Sequence, residues 1–220
     1  MASLTSLKVE KRLLGRQAAE AIRASIMSGA LPPSERLLEV QLAKQLAVSR
    51  GTVRSALAQL AHEGLVRQVA FTKWEVSGTS VADAWELYTL RAVLEGFAAR
   101  IAAERATPEE RRELEAIGRR LVQSVRAQQY EETTELDFQL HQQIVAMARH
   151  GRLADQHRVI LQQVRFHMVQ AGFLPHDYDQ YVAEHEALVA AVVGGHAELA
   201  ERLARSHNDT EVEVLSKALT

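Results

Sequence analysis

Asp137 and His141 stand four residues apart. On a helix that spacing puts a carboxylate and an imidazole on one face, where they could bind one cation together. His185 and His207 come later, each among apolar neighbours: Leu188 and Val189 follow the first, and Leu203 and Ala204 precede the second. Three imidazoles and one carboxylate suit a borderline divalent ion such as Zn, Ni or Mn, with water or a ligand completing its shell. Spacing alone leaves a second account open, because an acid and a histidine four apart also form surface hydrogen bonds and the chain has 9 histidines. His150, His157, His176 and His196 have no partner at telling spacing and read as surface or capping residues, while His167, between Phe166 and Met168, either packs in the core, the more ordinary account, or approaches the cavity.

A second stretch carries a different chemistry. In VSRGTVRSALAQLAHEGLV, Val53, Leu57 and Leu60 recur at helical spacing and mark a buried face. Ser49 sits where a helix N-cap belongs and Gly64 suits the left-handed residue that ends a helix, so the spacing predicts a helix from about Arg50 to Glu63. Arg50, Thr52, Arg54 and Ser55 lie in its first turns, off the apolar face, where cations and hydroxyls would serve a reader of the DNA major groove. His62 near its end suits the helix dipole.

The elements that must position these groups fall into two sets. A helix over about 9–28, closed by Gly29 and Pro32-Pro33, leads to a short amphipathic helix over about 38–46 and a brief turn into the second helix: a helix-turn-helix. VRQV and KWEV then form a hairpin or wing around Ala70-Phe71-Thr72, with Phe71 and Trp74 as its anchors. Ser77-Gly78-Thr79-Ser80 is a polar link, which divides the chain into residues 1–78 and 79–220. Beyond it helices are predicted over about 81–105, with Leu87, Leu90, Leu94, Phe97 and Ile101 on one face, and over 108–128, started by Thr107-Pro108-Glu109-Glu110 as a capping box. Four more follow over about 130–149, 152–171, 177–193 and 196–215, with breaks at Gly151, Gly172-Phe173-Leu174-Pro175 and Gly194-Gly195. The fold class is mainly α: a winged helix-turn-helix domain and an all-α bundle.

At these residues a family resemblance emerges. LLEVQLAKQLAVSRGTVRSALAQLAHEGLV resembles the N-terminal DNA-binding domain of the GntR family of bacterial transcription regulators, over about residues 8–78. The lead-in SGALPPSERL has Ser34 where a glycine is usual, Val40 stands where some members carry a DNA-contacting arginine, and the wing tip has Lys73 and no glycine. ELYTLRAVLEGFAARIAA, LDFQLHQQI and AEHEALVAAVVGGHAELAERLARSHN resemble, in that order, the FCD ligand-binding domain of the FadR-type branch. The resemblance implies that Asp137, His141, His185 and His207 are metal ligands. It also implies that Arg91 faces the cavity, where its guanidinium can take a ligand carboxylate in a bidentate pair. Spacing alone also allows an exposed Arg91 paired with Glu95 one turn on. Arg165 either assists in binding the effector or is a solvated arginine.

Charge separates the two parts. Residues 1–78 carry 11 Lys and Arg against 6 Asp and Glu, and the remainder carries 15 against 22. The basic part suits phosphate contacts with double-stranded DNA. With no cysteine there is neither a disulfide nor a thiolate metal site, as expected of a cytoplasmic protein. MASLTSLKVEKR has no apolar leader core, and the run from Ala187 to Val193 is far below the roughly 20 residues of a membrane helix, so a soluble protein without membrane association is expected.

The expected function is a ligand-responsive transcription regulator and not an enzyme. It would bind a palindromic operator as a homodimer, with Arg50, Thr52 and Arg54 at the DNA, and sense a small carboxylate at the metal and Arg91. A metalloenzyme with an appended DNA-binding domain is the alternative, although H-E-x-x-H is missing and Glu184 and Glu186, which flank His185, would point away from it on a helix. A metal-free acyl sensor is the other, opposed by the cost of burying the four metal-type residues without a ligand.

Overall fold

The computed structural model describes residues 9–70, 73–78, 80–171 and 177–218. The chain divides into two compact units, Met1–Thr79 and Ser80–Thr220.

In the first unit, α1 (Val9–Met27) buries Ala18, Ala19, Ile22 and Ile26, one turn apart, and Gly29 ends it at φ 75°. β1 (Arg36–Leu37) follows, then α2 (Glu39–Gln45) and α3 (Arg50–His62). Ala47, in the turn between the two helices, takes φ 54°, and Gly64 takes φ 76° after α3. Ser49 caps α3 as its spacing predicts, its hydroxyl oxygen accepting the Thr52 amide at 3.1 Å. β2 (Val66–Ala70) and β3 (Lys73–Val76) form the predicted hairpin. The sheet also has β1, too short to show in the sequence pattern, antiparallel to β3 with Leu37 opposite Trp74, in the order β1-β3-β2. Leu37, Val53, Leu57, Leu60, Leu65, Trp74 and Val76 make the core. Ser34, at the family's glycine position, holds φ 64°, the left-handed region that favours glycine, while its amide donates to Val76 at 3.0 Å.

The second unit is a bundle of α4 (Val81–Arg105), α5 (Pro108–Arg126), α6 (Tyr130–Met147), α7 (Gly151–Ala171), α8 (Tyr178–Val193) and α9 (Ala197–Ala218). Thr107 and Glu110 form both bonds of the capping box, at 3.2 and 2.8 Å. Gly151 begins α7 instead of breaking the chain. Arg149 turns the backbone at φ 51°, and the His150 ring accepts the Leu153 amide at 3.2 Å as the cap of α7. The face expected on α4 holds in part, with Leu87 buried and Leu94 and Ile101 packed against the core. Leu90 and Phe97 are 47% and 44% exposed, whereas Ala84, Tyr88, Arg91, Glu95, Ala98, Ala99 and Ala102 are buried. Small residues win the inner face because α9 passes close: a Cβ on Gly96 would meet Arg205 Cγ at 2.8 Å and the Glu201 carbonyl at 3.3 Å. The Gly172 break, Phe71 and His176 lie outside the described residues. Among the described residues no helix is long and apolar enough to cross a membrane.

Candidate functional site

α6 carries Asp137 and His141, α8 brings His185 and α9 brings His207. All four are buried, and one ligand-type atom from each lies within 4.8 Å of the others. Each imidazole is anchored at Nδ1. The anchor is Glu95 Oε2 at 2.8 Å for His141, the Tyr181 carbonyl at 2.8 Å for His185, and Glu184 Oε2 at 3.0 Å for His207. An acceptor at Nδ1 favours the tautomer that leaves Nε2 as the ligand atom. Nε2 of His141, Nε2 of His207 and Oδ2 of Asp137 have no hydrogen-bond partner. His185 Nε2 meets Asp137 Oδ1 at 2.7 Å, and the Tyr181 hydroxyl donates to the same oxygen at 2.8 Å. Buried polar atoms without partners are rare and costly. Here they sit in a cluster whose donors, imidazole and carboxylate, fit a divalent transition ion.

Three residues that sequence reading did not assign to the site organise it. Glu95 accepts from Arg91 Nε at 2.8 Å and from Asn208 Nδ2 at 3.1 Å, and lies 2.8 Å from His157 Nε2. His157, expected at the surface, is therefore buried in this network, because a charged partner inside the bundle offsets its desolvation. Arg91 has no exposed surface and is paired with Glu95, as the i, i+4 spacing allows, but deep in the bundle; its Nη1 donates to Glu211 Oε2 and its Nη2 has no partner. Glu184, expected to point away from the ligands, instead bonds His207 on α9, because α9 brings that imidazole alongside α8.

The electrostatics follow from burial among charges. Burial would raise the Glu95 carboxyl, but the Arg91 and His141 charges hold it well below the usual carboxylate range. Burial would raise Asp137 too, and His141 and His185 hold it well below. His185 is lowered by burial and by the charge of His207. For His207 burial works downward, yet the Glu211 charge and the Glu184 bond raise it to about 10.

Arg165 is not brought to this cluster. Its side chain is 44% exposed, paired with Glu135 at 2.9 Å and over the Phe138 ring. His167 is buried beside Phe166, and His196 is exposed.

In the other unit, the outer face of α3 presents Arg50 and Arg54, with side chains 64% and 59% exposed. Arg54 donates from Nε and Nη2 to the two oxygens of Glu39, at 2.9 and 2.8 Å, and the Trp74 indole donates to the same carboxylate at 3.3 Å. The Arg54 bond lowers the Glu39 carboxyl, so the pair is ionic and fixes the direction of the guanidinium. The Thr52 hydroxyl is within 2.8 Å of Ser49 Oγ. Val40 is 60% exposed, so the surface that would carry an arginine at that position carries an apolar side chain. Sequence reading missed Glu39, whose signal is a buried acid at the start of α2 beside a basic face.

Comparison with known proteins places these two sites in context. Residues 86–210 match the model of the FCD domain, and residues 14–70 match that of the bacterial regulatory proteins, gntR family. The Nta operon transcriptional regulator of Aminobacter aminovorans is 33% identical over 136 residues, 61% of this chain and 63% of that protein. An HTH-type regulator of Agrobacterium vitis is 38% identical over 79 residues, and the chain spans 46% of its length. The chain thus spans less than two thirds of either relative. The HTH-type transcriptional regulator YdhC of Bacillus subtilis is 24% identical over 90% of this chain and 89% of its own. Among solved structures, E. coli McbR/YncC superposes with a TM-score of 0.73 at 20% identity, over 94% of this chain and 99% of that one.

Proposed function

The chain belongs to the GntR family of bacterial transcriptional regulators with an FCD domain, and from that premise we propose that its bundle senses a small organic acid at a divalent-metal centre. The observation that carries the metal is the shared orientation of the three imidazoles. Each has an acceptor at Nδ1, and the unpartnered Nε2 atoms of His141 and His207 lie with Asp137 Oδ2 in one buried cluster. Asp137, His141, His185 and His207 would hold Zn, Ni or Mn, and the ion would supply a Lewis-acidic position for a carboxylate oxygen. Arg91 supports the acid reading through its unpartnered Nη2.

At the DNA, Arg50, Thr52 and Arg54 are the proposed contacts, with Arg54 aimed by Glu39. Two copies related by a two-fold axis would read half-sites roughly 34 Å apart, which requires a palindromic operator. The acid would bind the two DNA-binding states of this dimer with different affinity, since only a differential affinity shifts their populations.

The test is elemental analysis of the untagged protein beside His207→Ala. About one divalent ion per chain, lost in the variant, is expected. Metal-free wild type after incubation with Zn, Ni or Mn would refute the centre and leave the DNA-binding assignment intact.

A further inference from the structure

Glu211 pairs with Arg91 and is not one of the four proposed ligands. It lies one turn after His207 on α9 with only 3% of its surface exposed. One oxygen, Oε2, is held by Arg91 Nη1. The other, Oε1, has no hydrogen-bond partner and faces His207 Nε2 at 3.4 Å, an atom that is itself without a hydrogen bond. Leaving a buried carboxylate oxygen without a donor is costly. The two atoms form only a long ion pair when the imidazole is protonated, and a divalent cation bound by both would satisfy them together.

We propose that Glu211 is a fifth donor to the divalent ion, a carboxylate built into α9 that spans the metal position and the guanidinium of Arg91. The proposal rests on the metal reading given above. It changes what an acid must do to bind. A carboxylate that is to reach both the ion and Nη1 of Arg91 needs the two places Glu211 fills, so binding in that mode is an exchange of one carboxylate for another. The exchange frees a side chain of α9, the helix that packs along α4 and carries His207. An effector therefore acts on α9 directly, and its affinity is set against the pair it breaks.

The test uses the full chain as wild type, Glu211→Gln and Glu211→Asp, loaded with Co²⁺ for its visible spectrum and titrated with Zn²⁺ against a chelator, with circular dichroism to confirm the fold. Gln keeps the shape and a bond to Arg91 but removes the anionic donor. It should change the Co²⁺ spectrum and weaken Zn²⁺ by about tenfold or more. Acetate, used as the simplest carboxylate, should perturb the Co²⁺ spectrum of Glu211→Gln at concentrations that leave wild type unchanged. Asp keeps the charge and withdraws the oxygen by one methylene, so it should weaken Zn²⁺ as Gln does. An unchanged spectrum and affinity in Glu211→Gln overturns the proposal. So does an Asp variant that matches wild type while Gln is weakened, since charge alone would then account for the effect. Both results leave the four-residue centre standing, whereas wild type that takes up neither ion removes the centre and the fifth donor together.

Discussion

Glu95→Ala is the substitution on which the structure makes its largest demand. The carboxylate is 2% exposed and serves Arg91, His141, His157 and Asn208 at 2.8, 2.8, 2.8 and 3.1 Å. Removing it leaves a guanidinium with no exposed surface bonded to Glu211 alone, and strips His141 of its Nδ1 acceptor. Breaking a buried pair on one side typically costs about 3–5 kcal/mol, because the surviving charge is uncompensated. That is a large part of the roughly 5–15 kcal/mol that holds a domain folded. At about 2–4 °C per kcal/mol for a chain of this size, the melting temperature should fall by about 6–20 °C. Calorimetry should compare wild type and variant both stripped of metal by a chelator, so that the lost pair is separated from lost metal. A metal-free variant melting within about 2 °C of metal-free wild type would refute the account of Glu95 as the network's centre. In the loaded protein, metal affinity should fall about 10–100-fold as His141 loses its orientation. Glu95→Gln, which keeps an acceptor oxygen, should recover part of both losses.

Three further outcomes are expected. Arg54→Ala should weaken operator binding with a salt slope shallower by about one unit and unchanged metal content, and Glu39→Gln should weaken it less, since the guanidinium is kept but no longer aimed; gel-shift titrations across salt would read both. Metal affinity should fall with falling pH, because His207 is raised to about 10 by Glu211 and Glu184 against burial and must lose a proton before Nε2 can ligate. That raised value stabilises the metal-free fold below the ordinary imidazole range and the contribution is lost as pH rises through about 10, so calorimetric titrations across neutral pH should show proton release on binding; a pH-independent affinity would contradict it. Gly96→Val should cost about 1–3 kcal/mol in urea unfolding, because a Cβ there already meets Arg205 Cγ at 2.8 Å and the Glu201 carbonyl at 3.3 Å, and an unchanged midpoint would mean that α9 can move away from α4 freely.

What the sequence disclosed divides by physical type. Caps and turns were legible because they are local: Ser49, Thr107 with Glu110, and Gly64 act within a few residues of themselves. Asp137 and His141 could be paired because one helix carries both. The partners that orient the ligands were not legible, since each joins residues far apart in the chain: Glu95 to His141, Glu184 to His207, Tyr181 to Asp137. Glu184 shows why. It shares α8 with His185 yet bonds an imidazole of α9, and only the placement of α9 reveals that partner. His157 was misread for the same reason, its partner Glu95 lying 62 residues earlier. On α4, Leu90 and Phe97 were misplaced because apolar residues occur all round that helix, and its close approach to α9 selects alanine and glycine over leucine and phenylalanine.

The charges of the bundle are compatible with the proposed divalent ion. Glu95, Asp137 and Glu211 are buried carboxylates held ionised, and among the described residues Arg91 is the one buried guanidinium beside them, which leaves two negative charges unbalanced. Metal-free protein meets the deficit with protons, which is why His141 and His207 are both pushed up despite their burial. A divalent ion supplies the same two charges and releases the protons. An anionic effector added to that balanced site would bring a buried charge with no counterion, at a cost of several kcal/mol. Exchange with Glu211 avoids most of that cost, because the incoming carboxylate inherits both the ion and Arg91, while the departing one is spared burial only if α9 lets it reach water. Under the proposed exchange, binding an acid and moving α9 would be one event, and a variant in which Glu211 is neutral should bind the acid while shifting α9 less, as amide hydrogen exchange along residues 197–218 would measure.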